Sequence, residues 1–304
     1  MVAVVIGKFV TAIKGQMALG RKIHCSAEKG RHDKDLAAPD RRPPAAVRRA
    51  PPPQAGAMSC NFHRGPGMSG PIATAAGLVV GRGGAAAAGP LDFRIAAGEA
   101  LVVTGANGAG KSTLLRTLAG LLPSVAGRID VTGATAPDGE PARTLAEIAH
   151  YVGHRNAMKP TISVGENLAF WRRYLGGNRD GGRAVADCLD ALGLPDLSHL
   201  PQGYLSAGQQ RRASLARLLL VPRPVWILDE PTSALDAASQ LKFAGIVEAH
   251  VAAGGLVIAA THQPLGLSRT LTLDLTPSAH ATREADRAAP SIDAAELAAA
   301  EGWL

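Results

Sequence analysis

The segment GANGAGKST, Gly105 to Thr113, constrains the fold more than any other part of the sequence. The apolar run ALVVTG leads into it, and STLLRTLAGLL follows it with the spacing of a helix. A buried strand, a glycine loop and a helix in that order form the first unit of a parallel sheet. The loop fits G-x-x-x-x-G-K-[ST], whose backbone N–H groups surround phosphates at the positive end of the helix. The sequence therefore predicts an α/β fold with a phosphate-binding loop.

The loop residues carry the phosphate chemistry expected of this motif. We expect Lys111 to reach the β- and γ-phosphates of a nucleotide and the hydroxyl of Ser112 to ligate Mg²⁺. The alternative is a glycine loop that merely turns the chain, but the flanking strand and helix supply the context that the motif requires. The residues predicted to bind the nucleotide are Gly105, Ala106, Asn107, Gly108, Ala109, Gly110, Lys111, Ser112 and Thr113.

The segment VWILDEPTSALD, residues 225–236, adds a pair of carboxylates at the end of a strand. Its first four residues are apolar and predict a buried strand. We expect Asp229 to hold Mg²⁺ through water and Glu230 to polarise the attacking water as general base. An ordinary turn is the alternative, which the preceding phosphate loop and Pro231 at the strand end disfavour.

The segment THQ, residues 261–263, follows another apolar run, VIAA. His262 is therefore predicted at the carboxyl end of the sheet, beside the phosphates. A histidine at such a place is by itself more often structural than catalytic. The other motifs favour a catalytic role here.

The segment LSAGQQRRASLARLLL begins a helix with small and polar residues. A site made by one chain leaves one side of the γ-phosphate open to water. We expect this helix start, in a second copy of the protein, to cover that side. Ser206 offers its hydroxyl and N–H groups, Gly208 permits close approach, and Gln209 completes the contact. Arg211 and Arg212 are interpreted equally well as surface charges or as phosphate contacts.

The remaining pattern predicts further elements of an α/β domain. Strands are expected at GLVV, PLDFRI, RIDVTG, VWILDE and GLVIAATH, with LTLDL as an edge strand, and helices at SVGENLAFWRRYL, GRAVADCLDALGL and SQLKFAGIVEAHVAA. In the tail, residues 277–304, SIDAAELAAAEGWL predicts a short helix with Asp293 and Glu296 as a capping box.

The excess of positive charge is confined to the start of the chain. Residues 1–67 hold 12 Lys or Arg and 4 Asp or Glu, whereas the other 237 residues hold 20 and 21. The first segment is rich in Arg, Pro and Ala without periodicity, which predicts disorder. It is either an over-extended reading frame, with the true start at Met58 or Met68, or a basic arm for lipids or nucleic acid. The nearly neutral remainder argues against nucleic-acid binding.

No membrane-crossing or disulfide-bonded class is indicated by the sequence. No apolar run reaches the roughly 18 residues that a membrane-spanning helix needs. The three cysteines are widely spaced, contain no C-x-x-C pair and are typical of a reducing cytosol.

Taken in order, GANGAGKST, LSAGQ, LDEP, SALD and the Thr-His pair resemble the nucleotide-binding domain of ABC transporters over about residues 70–276. The resemblance implies a P-loop NTPase core of RecA-like type, a small antiparallel β subdomain and a helical subdomain near residues 151–215, within a domain spanning 68–276. It also implies ATP and Mg²⁺ as cofactors, a second nucleotide-binding domain in a homodimer, and separate transmembrane permease subunits. The protein would then lie peripherally on the cytoplasmic face of the inner membrane.

Two departures from the common pattern refine the resemblance. His154 in YVGHRNAMKP stands where most members have a glutamine that touches Mg²⁺ and the attacking water, so His154 becomes a third catalytic candidate. Together with ENLAFW, this segment resembles the ATP-binding subunits of heme exporters in cytochrome c maturation, whose permease chains would be the partners. The aromatic residue expected to stack on adenine near LVVGRGG is absent, and Arg82 is the candidate replacement.

By the same resemblance, residues 154–171 face the membrane partner. A groove there would accept a short helix of the permease. Met158 and Phe170 either line this groove or belong to the core.

Two other functions are weighed against heme export. A transporter subunit for a different substrate is the first alternative, because substrate choice lies in the membrane chains. The second is an ABC ATPase that works on ribosomes or DNA. A single P-loop and a spacing of 95 residues between Lys111 and Ser206 leave no second domain or inserted coiled coil for that class.

Overall fold

The computed structural model describes residues 70–83, 85–176, 182–263, 265–267 and 270–275. The predicted disordered segment 1–67 and the predicted helix with Asp293 and Glu296 lie outside these residues.

The described residues form eight strands in two sheets. They are β1 (Ile72–Arg82), β2 (Ala85–Ala96), β3 (Ala100–Gly105), β4 (Ala126–Thr132), β5 (Ala149–Val152), β6 (Val225–Asp229), β7 (Leu256–Ala260) and β8 (Leu271–Leu275). Five of them form a parallel sheet in the order β5-β6-β7-β3-β8, and the other three form an antiparallel sheet in the order β2-β1-β4. The predicted strands are confirmed, and LTLDL is an edge strand as expected.

Seven α-helices and one 3₁₀ turn occur in the same part of the chain. They are α1 (Lys111–Leu118), α2 (Leu145–Ile148), α3 (Val164–Tyr174), α4 (Val185–Ala191), the 3₁₀ turn Gln202–Tyr204, α5 (Ala207–Leu215), α6 (Arg217–Leu220) and α7 (Ala237–Ala252). Four of these helices, from α3 to α6, lie between the end of β5 and the start of β6, where the helical subdomain is predicted.

The parallel sheet is the centre of the core. Every residue of β6 and of β7 is buried, as expected for strands that are covered on both faces. One apolar cluster packs Trp226 and Phe243 with the helices around α3 to α7. A second cluster joins the sheet, α1 and the antiparallel strands through Leu78, Ile95 and Leu114. Among the described residues, no helix is long and apolar enough to cross a membrane.

Parallel strands direct their carboxyl ends toward one edge of the sheet. Register joins Val152 of β5 to Leu228 of β6, and Asp229 of β6 to Ala260 of β7. Val103 of β3 pairs in turn with Ala260. The loops after β3, β5, β6 and β7 therefore leave the same edge, and all the strand-end motifs of the sequence follow these four strands.

Candidate nucleotide-binding site

The phosphate loop connects β3 to α1, as the sequence predicts. Gly110 precedes the helix at φ 94°, a left-handed conformation that residues with a Cβ rarely adopt. The Nζ of Lys111 donates hydrogen bonds to the carbonyl oxygens of Gly105 at 2.7 Å and Ala106 at 3.0 Å. The amine therefore lies over the loop, at the positive end of α1.

The two predicted magnesium ligands meet at the sheet edge. The hydroxyl of Ser112 donates a hydrogen bond to Oδ1 of Asp229 at 3.1 Å. Asp229 is 2% exposed, and its Oδ2 is buried without a hydrogen-bond partner in the described part of the chain. A buried carboxylate oxygen without a partner is costly unless a cation or donor satisfies it. Mg²⁺ prefers oxygen ligands, so this pair fits the ion.

Glu230 follows Asp229 in an unusual backbone conformation. Its φ is 46°, in the left-handed region. The N–H of Glu230 donates to Ala260 O at 2.8 Å, and its carbonyl accepts from Ser233 Oγ at 2.9 Å. Nε2 of His262 lies 3.7 Å from Oε1 of Glu230. The structure thus brings Glu230 and His262, two of the three predicted catalytic residues, together beside Asp229.

His154 lies two residues beyond the end of β5, the strand next to β6. It is exposed, and its carbonyl oxygen accepts a hydrogen bond from Arg211 Nη1 at 3.4 Å. This placement puts His154 at the same sheet edge as Asp229 and Glu230. Its predicted contact with Mg²⁺ and water stays a prediction.

The helix start that carries LSAGQ is organised by its own first turn. The Oγ of Ser206 accepts from the N–H of Gln209 at 3.3 Å, and Oε1 of Gln209 accepts from the N–H of Ser206 at 2.9 Å. The Ser206 N–H is therefore engaged within the helix, whereas its hydroxyl hydrogen can still be donated. A Cβ at Gly208 would lie 2.9 Å from Ala234 O, so the glycine is also needed where α5 packs on the loop after β6. The predicted contacts of this turn with a nucleotide of a second copy stay predictions.

The structure excludes a surface charge at Arg211, which is 3% exposed and is bonded to backbone carbonyls around the site. A phosphate contact of either arginine stays a prediction. Arg212 is half-buried and donates to the carbonyls of Leu192 at 3.2 Å and Gly193 at 2.9 Å, just beyond α4.

The signal for Arg211 was present in the spacing along the helix. Leu215 in α5 and Leu218 in α6 follow Arg211 by four and seven residues, so helical spacing places the arginine on the same side as these buried leucines.

The residues proposed to face adenine and a membrane partner lie at least partly at the surface. Arg82 is exposed at the end of β1. Phe170 is half-buried, with ring centroids 5.7 Å from Trp171 and 6.0 Å from Tyr174. Met158 is partly buried against the first apolar cluster. Both residues proposed to line the groove are therefore partly accessible.

Comparisons with known proteins identify relatives of this chain. The profile of the ABC transporter family matches residues 88–233, which contain the phosphate loop, the LSAGQ turn and both strand-end carboxylates. The chain is 51% identical over 207 residues to the cytochrome c biogenesis ATP-binding export protein CcmA of Rhizobium meliloti, covering 68% of this chain and 98% of the relative. It is 53% identical over 192 residues to the protein of the same name in Nitrobacter winogradskyi, covering 63% and 92%.

Solved structures share the fold. An ABC transporter ATP-binding protein from Pyrococcus furiosus has a TM-score of 0.55 at 24% identity, over 67% of this chain and 97% of that chain. A bacterial Atm1-family ABC exporter with ATP bound has a TM-score of 0.53 at 24% identity, over 75% of this chain and 45% of the other.

Proposed function

Since the chain belongs to the ATP-binding proteins of ABC transporters, in the group of the cytochrome c biogenesis export proteins, we propose that it hydrolyses ATP to drive heme export or delivery for c-type cytochrome biogenesis. The observation that carries the proposal is the convergence of Lys111, Asp229 and Glu230 at one sheet edge, in a chain that spans 98% of such a relative. ABC ATPase subunits work with transmembrane permeases. The proposed partners are therefore the permease chains of a heme exporter, with this protein peripheral on the cytoplasmic face of the inner membrane.

The residues of this chain divide the reaction between binding and proton transfer. Lys111 and the loop amides bind the β- and γ-phosphates, while Ser112 and Asp229 would hold Mg²⁺. When bound, the ion neutralises charge on the phosphate oxygens. Glu230 accepts the proton of the water that attacks the γ-phosphorus, the bond to the β-phosphate oxygen breaks, and ADP and phosphate leave. His262 and His154 orient the water and the γ-phosphate.

A second copy completes the site in this proposal. Ser206, Gly208 and Gln209 of one copy would contact the γ-phosphate bound by its partner, so ATP joins a homodimer and hydrolysis releases it. The exposed first turn of α5 supports this arrangement, because the N–H groups that the capping box does not use and the Ser206 hydroxyl can bind an anion.

Heme staining of c-type cytochromes tests the function in cells whose only copy of the protein carries Glu230→Gln. We expect stained cytochromes to be lost, because turnover falls by about 10²- to 10⁴-fold without the base, and to return with the unmodified chain. Glu140→Gln, at an exposed carboxylate after β4, is the matched control and should leave staining intact. Normal staining in the Glu230→Gln cells would exclude heme delivery and direct attention to another transported substrate.

A further inference from the structure

Arg211 connects helix α5 to the strand end that carries the carboxylates. It lies in α5, one turn after Ser206, and is 3% exposed. Its Nη2 donates to the carbonyl oxygens of Asp229 at 2.9 Å and Glu230 at 2.7 Å, and its Nε donates to Pro231 O at 3.2 Å. Three successive carbonyls, at the end of β6 and in the loop after it, are therefore bonded to one guanidinium group.

The other side of the same guanidinium holds the loop after β5. Nη1 of Arg211 donates to Gly153 O at 2.9 Å, and more weakly to His154 O and to Oδ1 of Asn156, both at 3.4 Å. Ser214, on the same helix, donates to Asn156 O at 2.9 Å. The His154 loop thus has its position set relative to α5 by the residue that also sets the position of Glu230.

Among the described residues, the charge of Arg211 is satisfied by dipoles rather than by a direct ion pair. Its hydrogen-bond partners are backbone carbonyls and one amide oxygen. Burial lowers the pKa of Arg211, while the nearby carboxylates of Asp229 and Glu230 act in the opposite direction. A planar group with five donors can serve several carbonyls at once, which a lysine amine on a flexible stem cannot reproduce.

We propose that Arg211 is a positioning residue, which fixes the backbone of Glu230 and of the His154 loop relative to the helix that begins at Ser206. This inference rests on the proposed ATPase function. It adds that α5, through Arg211, holds the backbone of Glu230 in its left-handed conformation. Movement of α5 would then displace the base and the His154 loop together.

The test compares ATP hydrolysis by Arg211→Met, Arg211→Lys and Arg212→Met, each in the full chain purified from solubilised membranes with the chains that co-purify. Rates are expressed per nucleotide-binding site, counted by equilibrium titration with ATP. We expect Arg211→Met to lower kcat by about 100-fold, with KM and the ATP Kd within about threefold of the unmodified protein, because misplaced catalytic groups affect the transition state and not ATP binding. Arg211→Lys should lower kcat by about tenfold.

Arg212→Met is the matched control, because Arg212 is on the same helix but bonds to Leu192 and Gly193, away from the site. Its kcat per site should stay within about threefold of the value for the unmodified protein. An unchanged kcat in Arg211→Met, or an equal loss in Arg212→Met, would overturn the inference. Where Arg211→Met does not fold, an unchanged kcat in Arg211→Lys overturns it.

The proposed function and the inference fail in different ways. A rate that is insensitive to Glu230→Gln would overturn the ATPase assignment of Glu230 and the inference with it. A Glu230-dependent rate that Arg211→Met leaves unchanged would overturn the inference alone.

Discussion

Lys111 is held at the phosphate loop by hydrogen bonds to two carbonyl oxygens, those of Gly105 and Ala106. A bound triphosphate would take over these donors, since charge-assisted bonds to phosphate are stronger than bonds to neutral carbonyls. The lysine is thus aligned with the loop by neutral partners that an anion can replace.

Removing the amine of Lys111 should weaken ATP binding, whereas removing an exposed amine elsewhere should not. Because hydrogen bonds to charged groups contribute about 1.5–3 kcal/mol each, Lys111→Ala should raise the Kd for ATP by at least about tenfold. Calorimetric titration with ATP and Mg²⁺ measures the effect. Lys242→Ala, at an exposed lysine of α7, should leave the Kd unchanged. Equal affinities for the two variants would contradict the role given to Lys111.

For individual residues, the sequence was informative where function depends on local spacing. The phosphate loop and the Asp229–Glu230 pair are contiguous motifs, so their residues could be named before the fold was known. The contacts of Arg211 could not, because they join residues 18 to 58 positions apart in the chain. Such contacts depend on how helices and strand ends meet in three dimensions, which helical spacing alone does not specify.

Two helices begin with the same reciprocal cap. Ser163 and Glu166 form a capping box at α3, as Ser206 and Gln209 do at α5. The pattern S-x-x-E/Q was visible in the sequence for both, but the second was interpreted only as a nucleotide contact. A helix start that is already ordered by its own side chains needs no folding to present N–H groups to a ligand.

The two caps allow the structural and functional roles of Ser206 to be separated. Ser163→Ala and Ser206→Ala should each lose about 1 kcal/mol of stability, a fall of roughly 2–4 °C in Tm. In a Glu230→Gln background, only Ser206→Ala should weaken ATP-dependent dimerisation, by about tenfold or more. Sedimentation with and without ATP measures the association. Equal weakening by both variants would show that the effect is one of helix stability.

Other elements show why strand lengths were harder to predict than strand positions. β3 has the predicted limits, because a buried parallel strand is a continuous apolar run. β1 and β2 are longer than the predicted GLVV and PLDFRI, with register shifts between Ala75 and Leu78 and between Leu78 and Val80. Alanine-rich strands with bulges lose the alternation that marks a strand in sequence.

For the molecule as a whole, the core around β6 contains two buried histidines. Nε2 of His150 donates to Val221 O at 2.7 Å, and the ring of His250 stacks on Trp226 with centroids 3.8 Å apart. Burial lowers the pKa of each histidine from 6.5 to about 3. Both rings are therefore neutral in the folded protein at neutral pH.

This arrangement makes global stability sensitive to acid. The unfolded chain takes up these protons below about pH 6.5, whereas the folded chain does so only near pH 3. Stability is therefore fully present above pH 6.5 and is lost as the pH falls. At pH 5, each histidine should lower the free energy of unfolding by about 2 kcal/mol relative to pH 7.

Urea titrations at pH 7 and pH 5 measure the loss. His150→Gln, whose amide can still donate to Val221 O, should remove about half of it. His199→Gln, at an exposed histidine, serves as the control and should remove none. An equal loss of unfolding free energy between pH 7 and pH 5 in the unmodified protein and in both variants would exclude His150 as a source of the acid sensitivity.

The left-handed backbone of Glu230 has a consequence for how such a chain evolves. A residue with a side chain at φ 46° is less stable there than glycine, by about 1–2 kcal/mol. Selection for thermal stability alone would favour glycine or asparagine at this position, and each would remove the proposed base. Glu230 therefore marks a trade-off between stability and activity. A screen that rewards only heat resistance is expected to enrich inactive proteins at this residue.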